Sequence, residues 1–290
     1  MVIIMKNEIT LNNGIKMPKI GFGVFRMTNE NECEEAVMNA IQSGYRLIDT
    51  AAAYGNEEAV GRALKQSNVK RDELFITTKL WITETNYELA KKGFERSLEK
   101  LGLDYLDLYL IHQPYNDYYG AWRALEELYN EGKIRAIGID NFTNDKVADF
   151  VFFNKIKPAV NLVECNAFYQ RKEECEYLKK QNIQMQAWSP LSAGQNRLFE
   201  NETLIDIAKS HNKTVAQIVL RWLIQRGIVP IVKSSNLSRM KENIDVFDFE
   251  LSSEEMQMIF ALDTGHTCFS PRTTGEAVDD FLKKSLLYNI

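Results

Sequence analysis

The chain has 290 residues, of which 45% are hydrophobic and 26% are charged, so it can bury a large core. Its net charge of −5 argues against a general nucleic-acid or membrane-surface binder, because such proteins normally carry a basic stripe. The chain has four scattered cysteines without a CxxC pair, and three histidines. These residues give little support to a metal site and indicate a reduced, cytoplasmic protein.

No segment has the composition of a targeting or membrane-spanning sequence. The apolar start at residues 2–5 is shorter than a signal-peptide core, and no run approaches the roughly 20 apolar residues of a membrane span. We therefore expect neither a membrane nor a nucleic acid as partner. Nothing in the sequence encodes an oligomeric state, and a monomer is the default expectation.

The predicted elements begin with a small hairpin and continue as eight strand–helix units. Residues 8–18 alternate in polarity and turn at Asn12, Asn13 and Gly14, where Asn-Gly supplies the positive φ angles of a tight turn. Strand-like runs then recur at 19–25, 46–51, 74–80, 105–113, 134–140, 158–166, 184–190 and 228–235. Helical periods follow them at 32–43, 57–66, 87–101, 121–130, 145–153, 172–180, 202–211 with 214–225, and 237–246.

Alternating units with buried-looking strands predict a parallel sheet. Eight units in roughly 250 residues is the count of a closed (β/α)8 or TIM barrel. An open, doubly wound α/β sheet is the alternative architecture, but its dinucleotide fingerprint is missing, because Arg26 stands where residues 21–26 would need a third glycine. We therefore expect a single barrel domain over residues 1–290.

A further helix and a tail follow the eighth unit. Ser252 is placed as an N-cap, with Glu254 and Glu255 in the first turn of a helix over residues 252–262. The tail at 263–290 contains Phe269 and Arg272. The residues leave open whether it packs on the barrel wall or covers the mouth, and we take the mouth as the expectation.

Three consecutive predicted strands end in residues that carry chemistry. Asp49 and Tyr54 follow the second strand, Lys79 ends the third, and His112 ends the fourth. In a barrel these side chains converge at the C-terminal mouth, where barrel enzymes place their active sites. A buried lysine needs an anion, which Asp49 supplies, and its charge would favour the ionised form of the Tyr54 phenol. The alternative is a structural Asp–Lys ion pair beside a strand-end histidine.

The eighth strand leads into a candidate phosphate site. Lys233, Ser234, Ser235 and Asn236 connect it to a helix that also carries Arg239, and helix N-termini with nearby cations bind phosphate in many barrels. The alternative is that Asn236 caps the helix and the cations form a solvated face.

The chain resembles the aldo-keto reductases over nearly its whole length. The motifs that carry the resemblance are LNNGIKMPKIGFGVF, DTAAAYGNEEAVG, ITTKLW, LIHQP, GIDNF and IVKSSNLSRMKEN. The resemblance implies that NADPH delivers hydride to the carbonyl carbon of a small substrate while Tyr54 donates the proton. It also implies that Asp49 and Lys79 tune Tyr54, that His112 orients the substrate, and that Phe25 and Trp81 line the substrate pocket. No metal is implied.

The resemblance further implies a set of NADPH-binding residues. Trp188 would stack on the nicotinamide, and Asn141 would hold its carboxamide. Glu242 and Asn243 would meet the adenine, and Lys233 and Arg239 the 2′-phosphate. The complete set is Asp140, Asn141, Trp188, Ser189, Leu191, Lys233, Ser234, Ser235, Asn236, Arg239, Glu242 and Asn243.

Several residues depart from the family pattern. Asp140 replaces a usual serine and Leu162 a usual glutamine in the group that would hold the carboxamide. Gln113 stands where many members have tryptophan, and Asn166 with Ala167 replaces a His-Pro pair. These changes leave the four catalytic candidates intact, which favours an enzyme. The alternative function is a nucleotide-binding barrel that acts as a regulatory or interaction subunit.

Overall fold

An antiparallel hairpin begins the part of the chain that the computed structural model describes, residues 7–287. Its strands are β1 (Glu8–Thr10) and β2 (Lys16–Pro18). Gly14 has a φ angle of 86° in the turn, a conformation that glycine adopts without steric cost. The predicted hairpin is therefore confirmed, whereas the apolar start at residues 2–5 and the last three residues of the tail lie outside the described range.

The hairpin covers one end of the barrel. The side-chain amides of Asn12 and Asn13 donate to the backbone oxygens of Pro158 and Arg135, at 2.8 and 2.9 Å. Both acceptors precede barrel strands, so the hairpin lies against the N-terminal ends of the strands. That leaves the C-terminal ends, where barrel enzymes place their chemistry, on the opposite side.

Eight parallel strands form a closed barrel in the described residues. Each strand pairs with the next along the chain, and the last pairs with the first, so the predicted (β/α)8 barrel is confirmed and the open sheet is wrong. The strands are β3 (Gly21–Gly23), β4 (Leu47–Asp49), β5 (Phe75–Leu80), β6 (Leu108–Ile111), β7 (Ile137–Asp140), β8 (Val160–Glu164), β9 (Gln184–Trp188) and β10 (Val229–Val232).

Helices follow the strands and surround them. They are α1 (Glu30–Gln42), α2 (Glu57–Gln66), α3 (Tyr87–Leu101), α4 (Tyr118–Asn130), α5 (Asn144–Phe153), α6 (Lys172–Gln181), α7 (Glu202–His211), α8 (Val215–Gln225) and α9 (Leu237–Ile244), followed by α10 (Ser253–Phe260) and α11 (Gly275–Ser285). Ser252 caps α10 in a reciprocal capping box with Glu255, as its position predicted. Between residues 7 and 287, no helix combines the length and apolar character needed to cross a bilayer.

Two helix boundaries differ from the predictions for reasons that the structure shows, α4 by three residues at its start and α9 by two at its end. Helix α4 was expected from residue 121 but begins at Tyr118, because the Asp117 carboxylate accepts from the Gly120 amide and caps an earlier turn. Helix α9 was expected to reach residue 246 but ends at Ile244. There the next two carbonyl groups accept from side chains of α8 instead of continuing the helix. The other predicted helix boundaries agree within two residues.

Buried apolar side chains form an inner layer within the barrel and an outer layer between barrel and helices. The inner layer contains alternate strand residues, namely Leu47, Phe75, Leu108, Leu110, Val160, Leu162, Val229 and Ile231. Leu11 and Met17 of the hairpin join this layer from below. The outer layer includes the buried indoles of Trp122 and Trp222. The barrel is thus a packed core with its strand ends held in fixed positions.

The glycines of β3 are packing residues. A Cβ atom at Gly21 would lie 2.4 Å from the Cδ2 atom of Leu47, and one at Gly23 would lie 2.9 Å from a methyl group of Ile231. Neither position has room for a side chain in a core packed at crystal-like density. This explains two glycines in the first barrel strand without the third glycine of a dinucleotide fingerprint.

The tail covers the mouth of the barrel, as expected, and it contains a helix that the sequence reading did not predict. Thr274 caps α11 by accepting from the Ala277 amide. The Trp81 indole donates to the backbone oxygen of Ser285 at 3.1 Å, and the Phe281 ring lies 6.1 Å from the Trp81 ring. The tail is therefore part of the wall around the strand ends.

Candidate active site

A cleft of about 950 Å³ opens at the C-terminal ends of the strands. Its lining comes from strand ends, from the loops that follow them and from the tail. The predicted site residues that line it are Phe25, Asp49, Tyr54, Trp81, His112, Asp140, Asn141, Trp188, Ser189, Leu191, Lys233, Ser234, Ser235, Asn236, Arg239, Glu242 and Asn243. Lys79, the remaining predicted residue, lies buried beneath the floor. The structure therefore brings the whole predicted set to one cavity.

Lys79 is the centre of a polar cluster in the cleft floor. Its Nζ atom donates to Asp49 Oδ1 at 2.6 Å, to the Thr50 backbone oxygen at 2.8 Å and to the Tyr54 hydroxyl at 3.3 Å. An ammonium group has three donors, so these contacts use all of them. Register explains the meeting, since Asp49 ends β4, the neighbour of the strand that carries Lys79.

The cluster holds its protons tightly. Burial by itself would lower the pKa of Lys79, but the charge of the Asp49 carboxylate, which accepts from Nζ, outweighs it and raises that pKa above its ordinary value. Burial raises the pKa of Asp49, and the Lys79 charge opposes the increase. Burial also raises the pKa of Tyr54, although Lys79 acts in the predicted downward direction. The Tyr54 phenol is therefore protonated at neutral pH.

His112 faces Tyr54 across the cleft. The centre of its ring lies 5.6 Å from the Tyr54 ring and 4.9 Å from the Trp81 indole, both edge-on. Burial lowers the pKa of His112 well below its ordinary value, and the charges of Lys79 and Arg272 act in the same direction. The imidazole is therefore neutral, as expected, and one of its nitrogens carries a hydrogen that can be donated.

Asp140 is a buried carboxyl group without a hydrogen-bond partner on Oδ1 among the described residues. Its Oδ2 atom lies 3.8 Å from His112 Nε2, which is too long for a hydrogen bond. Burial raises the pKa of Asp140 well above its ordinary value; Lys79 and Arg272 oppose the increase and Asp49 adds to it. Asp140 lines the cleft, and its unpaired Oδ1 atom is buried.

Asn141 connects two other predicted site residues. Its side-chain oxygen accepts from the Trp188 indole at 3.0 Å, and its amide donates to the His112 backbone oxygen at 3.2 Å. Its φ angle of 67° is one that asparagine adopts more readily than most residues. Leu162 lines the cleft nearby and also belongs to the inner barrel layer.

The loop before α9 forms the other end of the cleft. The Asn236 side-chain oxygen caps the helix by accepting from the Arg239 backbone amide at 3.1 Å. The backbone amide of Asn236 donates to the Ser234 hydroxyl at 3.0 Å. Lys233 and Arg239 are exposed. No carboxylate between residues 7 and 287 lies within ion-pair distance of either cation. Asn236 therefore acts as the N-cap that the alternative reading expected, while the two cations beside it remain available to an anion.

The tail adds contacts that the sequence did not predict. The Phe269 ring lies 5.2 Å from the Trp188 ring, and the Arg272 guanidinium donates to Gln113 Oε1 at 2.8 Å. At the end of β8, the Glu164 carboxylate also holds the tail. It accepts from the Cys268 backbone amide at 3.1 Å and from the Thr267 hydroxyl. These contacts join residues between about 80 and 160 positions apart, for which local sequence gives no signal.

Asn56 and Glu57, at the start of α2, tie three strand ends together. The Asn56 side chain accepts from the Thr50 hydroxyl at 2.8 Å and donates to the backbone oxygens of Val24 and Met27. The Glu57 carboxylate accepts from the Thr78 hydroxyl at 2.6 Å. Both residues are buried, and neither was predicted. They fix the backbone on either side of the Lys79 cluster.

Comparison with known proteins agrees with this geometry. Residues 19–264 match the aldo/keto reductase family. Glyoxal reductase from Bacillus subtilis (strain 168) is 52% identical over 259 residues, which are 89% of this chain and 93% of the relative. The crystal structure of an aldo-keto reductase enzyme from a Medee basin deep-sea metagenome library is 46% identical, covers 92% of this chain and 98% of its own, and superposes with a TM-score of 0.89.

A second solved structure carries a nucleotide. The Bombyx mori aldo-keto reductase in complex with NADP is 34% identical, covers 91% of this chain and 94% of its own, and has a TM-score of 0.87. Family match, sequence identity and fold agree over most of the chain. The protein is therefore an oxidoreductase that belongs to the aldo/keto reductase family.

Proposed function

We propose that this chain reduces aldehydes or ketones to alcohols with NADPH, using Tyr54 as the proton donor. The observation that carries the proposal is the Lys79-centred cluster at the cleft floor, which presents a protonated phenol opposite a neutral imidazole. The B. subtilis relative is named as a reductase of glyoxal, a small dicarbonyl compound. The natural substrate of this chain is accordingly a small molecule with a carbonyl group.

Tyr54 would donate its proton to the carbonyl oxygen as negative charge develops there. The phenolate that forms would lie 3.3 Å from the Lys79 ammonium, which stabilises it. Asp49 keeps that ammonium charged and in place at 2.6 Å. Tyr54 would therefore stay protonated until the substrate oxygen becomes basic enough to take the proton.

His112 would donate a second hydrogen bond to the same oxygen. Its low pKa keeps the ring neutral, so it would polarise the carbonyl group without supplying a competing proton. Asn141 holds the backbone of His112 in position. Phe25 and Trp81 would enclose the rest of the substrate, with Trp81 packed directly against the His112 ring.

The cleft residues suit NADPH, which supplies hydride to the carbonyl carbon when bound. A volume of about 950 Å³ lies near the upper end of the roughly 300–1,000 Å³ usual for ligand sites, enough for a dinucleotide with a small substrate. Lys233 and Arg239 would hold the 2′-phosphate with Ser234, Ser235 and Asn236, while Glu242 and Asn243 would meet the adenine. Trp188 would stack on the nicotinamide. The Asp140 carboxyl group would meet its carboxamide, and Ser189 and Leu191 line the same cleft.

The proposal is tested by the loss of NADPH absorbance with a panel of aldehydes and ketones. In Tyr54→Phe we expect the rate to fall about a hundredfold to ten-thousandfold, because general acid catalysis is removed. NADPH binding, followed by quenching of tryptophan fluorescence, should persist in this variant. The matched control Tyr129→Phe changes a tyrosine outside the cleft and should keep the parent rate.

Two outcomes would overturn the proposal. A Tyr54→Phe variant as active as the parent would remove Tyr54 from the reaction. A parent protein that binds NADPH but turns over no carbonyl compound would favour the regulatory nucleotide-binding barrel.

A further inference from the structure

We propose that the substrate end of the cleft is an anion site, and that the substrates are carbonyl compounds that also carry a carboxylate, bound by Arg272. This inference rests on the proposed function, because it concerns the part of the substrate remote from the reacting carbonyl. Its starting observation is that the tail brings one arginine to the cleft wall beside His112, in a chain whose net charge is −5.

Neutral groups hold the Arg272 side chain in place. Its Nη1 atom donates to Gln113 Oε1 at 2.8 Å, and its guanidinium carbon lies 4.2 Å from the centre of the Phe281 ring. Gln113 is 6% exposed and directly follows His112 in the chain. The arginine is therefore fixed with respect to the predicted catalytic histidine before any substrate arrives.

The charge of Arg272 is not neutralised by the protein. Among residues 7–287, no carboxylate comes within ion-pair distance of its guanidinium, and the one contact that fixes its head group uses one of five N–H donors. The nearby Asp140 carboxyl holds its proton because burial raises its pKa, so it supplies little compensating charge. An uncompensated cation at the wall of a cleft attracts an anion.

The chemistry of the site favours a carboxylate over a phosphate. A guanidinium group binds either one through paired N–H donors. Arg272 is the cation that contacts Gln113 next to the reacting end, and its other neighbours are the aromatic rings of Phe281 and, beyond it, Trp81. Arg26, the other arginine that lines the cleft, lies over the Phe25 ring. A single cation fixed beside the reacting end, among aromatic walls, matches a single negative charge on a short carbon chain.

Paired substrates test the inference. Succinic and glutaric semialdehydes would each be compared with the corresponding methyl ester, which keeps the aldehyde and the chain but lacks the charge. We expect the parent to prefer the acids. In Arg272→Gln the ratio of kcat/KM for acid to ester should fall at least about tenfold, mainly through KM, because charge-assisted hydrogen bonds are lost. Arg272→Lys should restore part of the ratio.

Lys284→Gln is the matched control, since it removes one charge from the same tail at an exposed position outside the cleft. It should keep the parent ratio. Rising salt concentration should lower the preference of the parent for the acids, and it should have little effect on Arg272→Gln.

The outcomes separate this inference from the proposed function. Reduction of esters and acids with equal efficiency, or an unchanged ratio in Arg272→Gln, would overturn the anion site while leaving the reductase intact. An equal loss for both substrates would show that Arg272 only supports packing. If no compound is reduced, the binding of succinic semialdehyde, measured by tryptophan fluorescence, still tests the anion site. Binding that Arg272→Gln abolishes supports the site, and equal binding contradicts it.

Discussion

Asp140 places an unpaired carboxyl group next to the residues that would carry the reaction. The charged and titratable groups around it are His112, Lys79, Asp49, Tyr54 and Arg272. None of them satisfies Oδ1, and a buried carboxylate without a partner costs free energy. The group therefore keeps its proton in the folded chain and makes stability depend on pH.

Asp140→Asn should reveal this dependence. The pKa of Asp140 is raised in the folded chain, so its contribution to stability is complete below the unfolded value of about 3.9 and is lost as pH rises toward the folded value. Asparagine does not ionise. We therefore expect the melting temperature of the variant, relative to the parent, to be higher at about pH 8 than at about pH 4.

Asp145→Asn provides a control of opposite sign. A hydrogen bond from Thr143 lowers the pKa of Asp145, so the stability that this group adds is present above its unfolded pKa and is lost as pH falls. At neutral pH, the melting temperature of the variant should therefore be lower than that of its parent. A pH-independent difference for Asp140→Asn would contradict the burial of an unpaired carboxyl group.

Residues at strand ends were the part of the site that the sequence could predict. Asp49, Lys79 and His112 each close a strand-like run, and a barrel brings such positions together. The degree of burial cannot be read from the sequence, so we expected the Lys79 charge to favour the ionised phenol of Tyr54. In the structure, the effect of burial on the Tyr54 pKa is larger than that of the charge. Desolvation depends on the surrounding packing, which no short motif encodes.

Helix α9 begins beside two cations that have no acidic partner in residues 7–287. Replacing Arg239 with alanine should weaken the binding of NADPH by about tenfold or more, because charge-assisted hydrogen bonds contribute roughly 1.5–3 kcal/mol each. NADH should be affected far less, since it lacks the 2′-phosphate. Titration of tryptophan quenching with both cofactors measures the two affinities.

Lys241→Ala is the control for this helix. Lys241 is an exposed cation on the same element, but it does not line the cleft. Its removal should leave both affinities nearly unchanged. Equal weakening of NADPH and NADH in Arg239→Ala would assign the arginine to structure rather than to phosphate binding.

Elements differed in how well the sequence predicted them. The eight units were visible because hydrophobic period and turn residues are local, and the N-caps of α9 and α10 lie at the residues that their sequences indicated. Helix α11 was missed because its apolar residues meet Trp81, a contact made only after the barrel has formed. The Asn56 contacts were also not predicted, because they too are made only after the barrel has formed.

At the scale of the whole molecule, Glu164 fastens the tail to the barrel. Its carboxylate accepts from Thr267 and from both the amide and the thiol of Cys268. In Glu164→Gln, one oxygen becomes an NH2 group that faces donors. We expect a loss of about 1–3 kcal/mol in the free energy of unfolding, because hydrogen bonds to a charged group are removed.

Hydrogen exchange locates the effect of this change. Backbone amides of the tail after Cys268 should lose protection in Glu164→Gln, while those of the barrel strands keep it. Glu200→Gln is a suitable control, because Glu200 is largely exposed and pairs only with Arg197 in the described chain. Unchanged protection of the tail would show that packing of Phe269 and Phe281 holds it without Glu164.

The barrel seam has a consequence for synthesis on the ribosome. Strands β3 and β10, which close the barrel, lie near opposite ends of the chain. Until β10 emerges, β3 and the newest strand expose unpaired backbone edges that can pair with other chains. Asp49 through His112 emerge early and α9 emerges late, so a nascent chain carries the predicted catalytic side chains before the predicted phosphate site. Pairing of these edges within the chain therefore waits for nearly the whole barrel sequence.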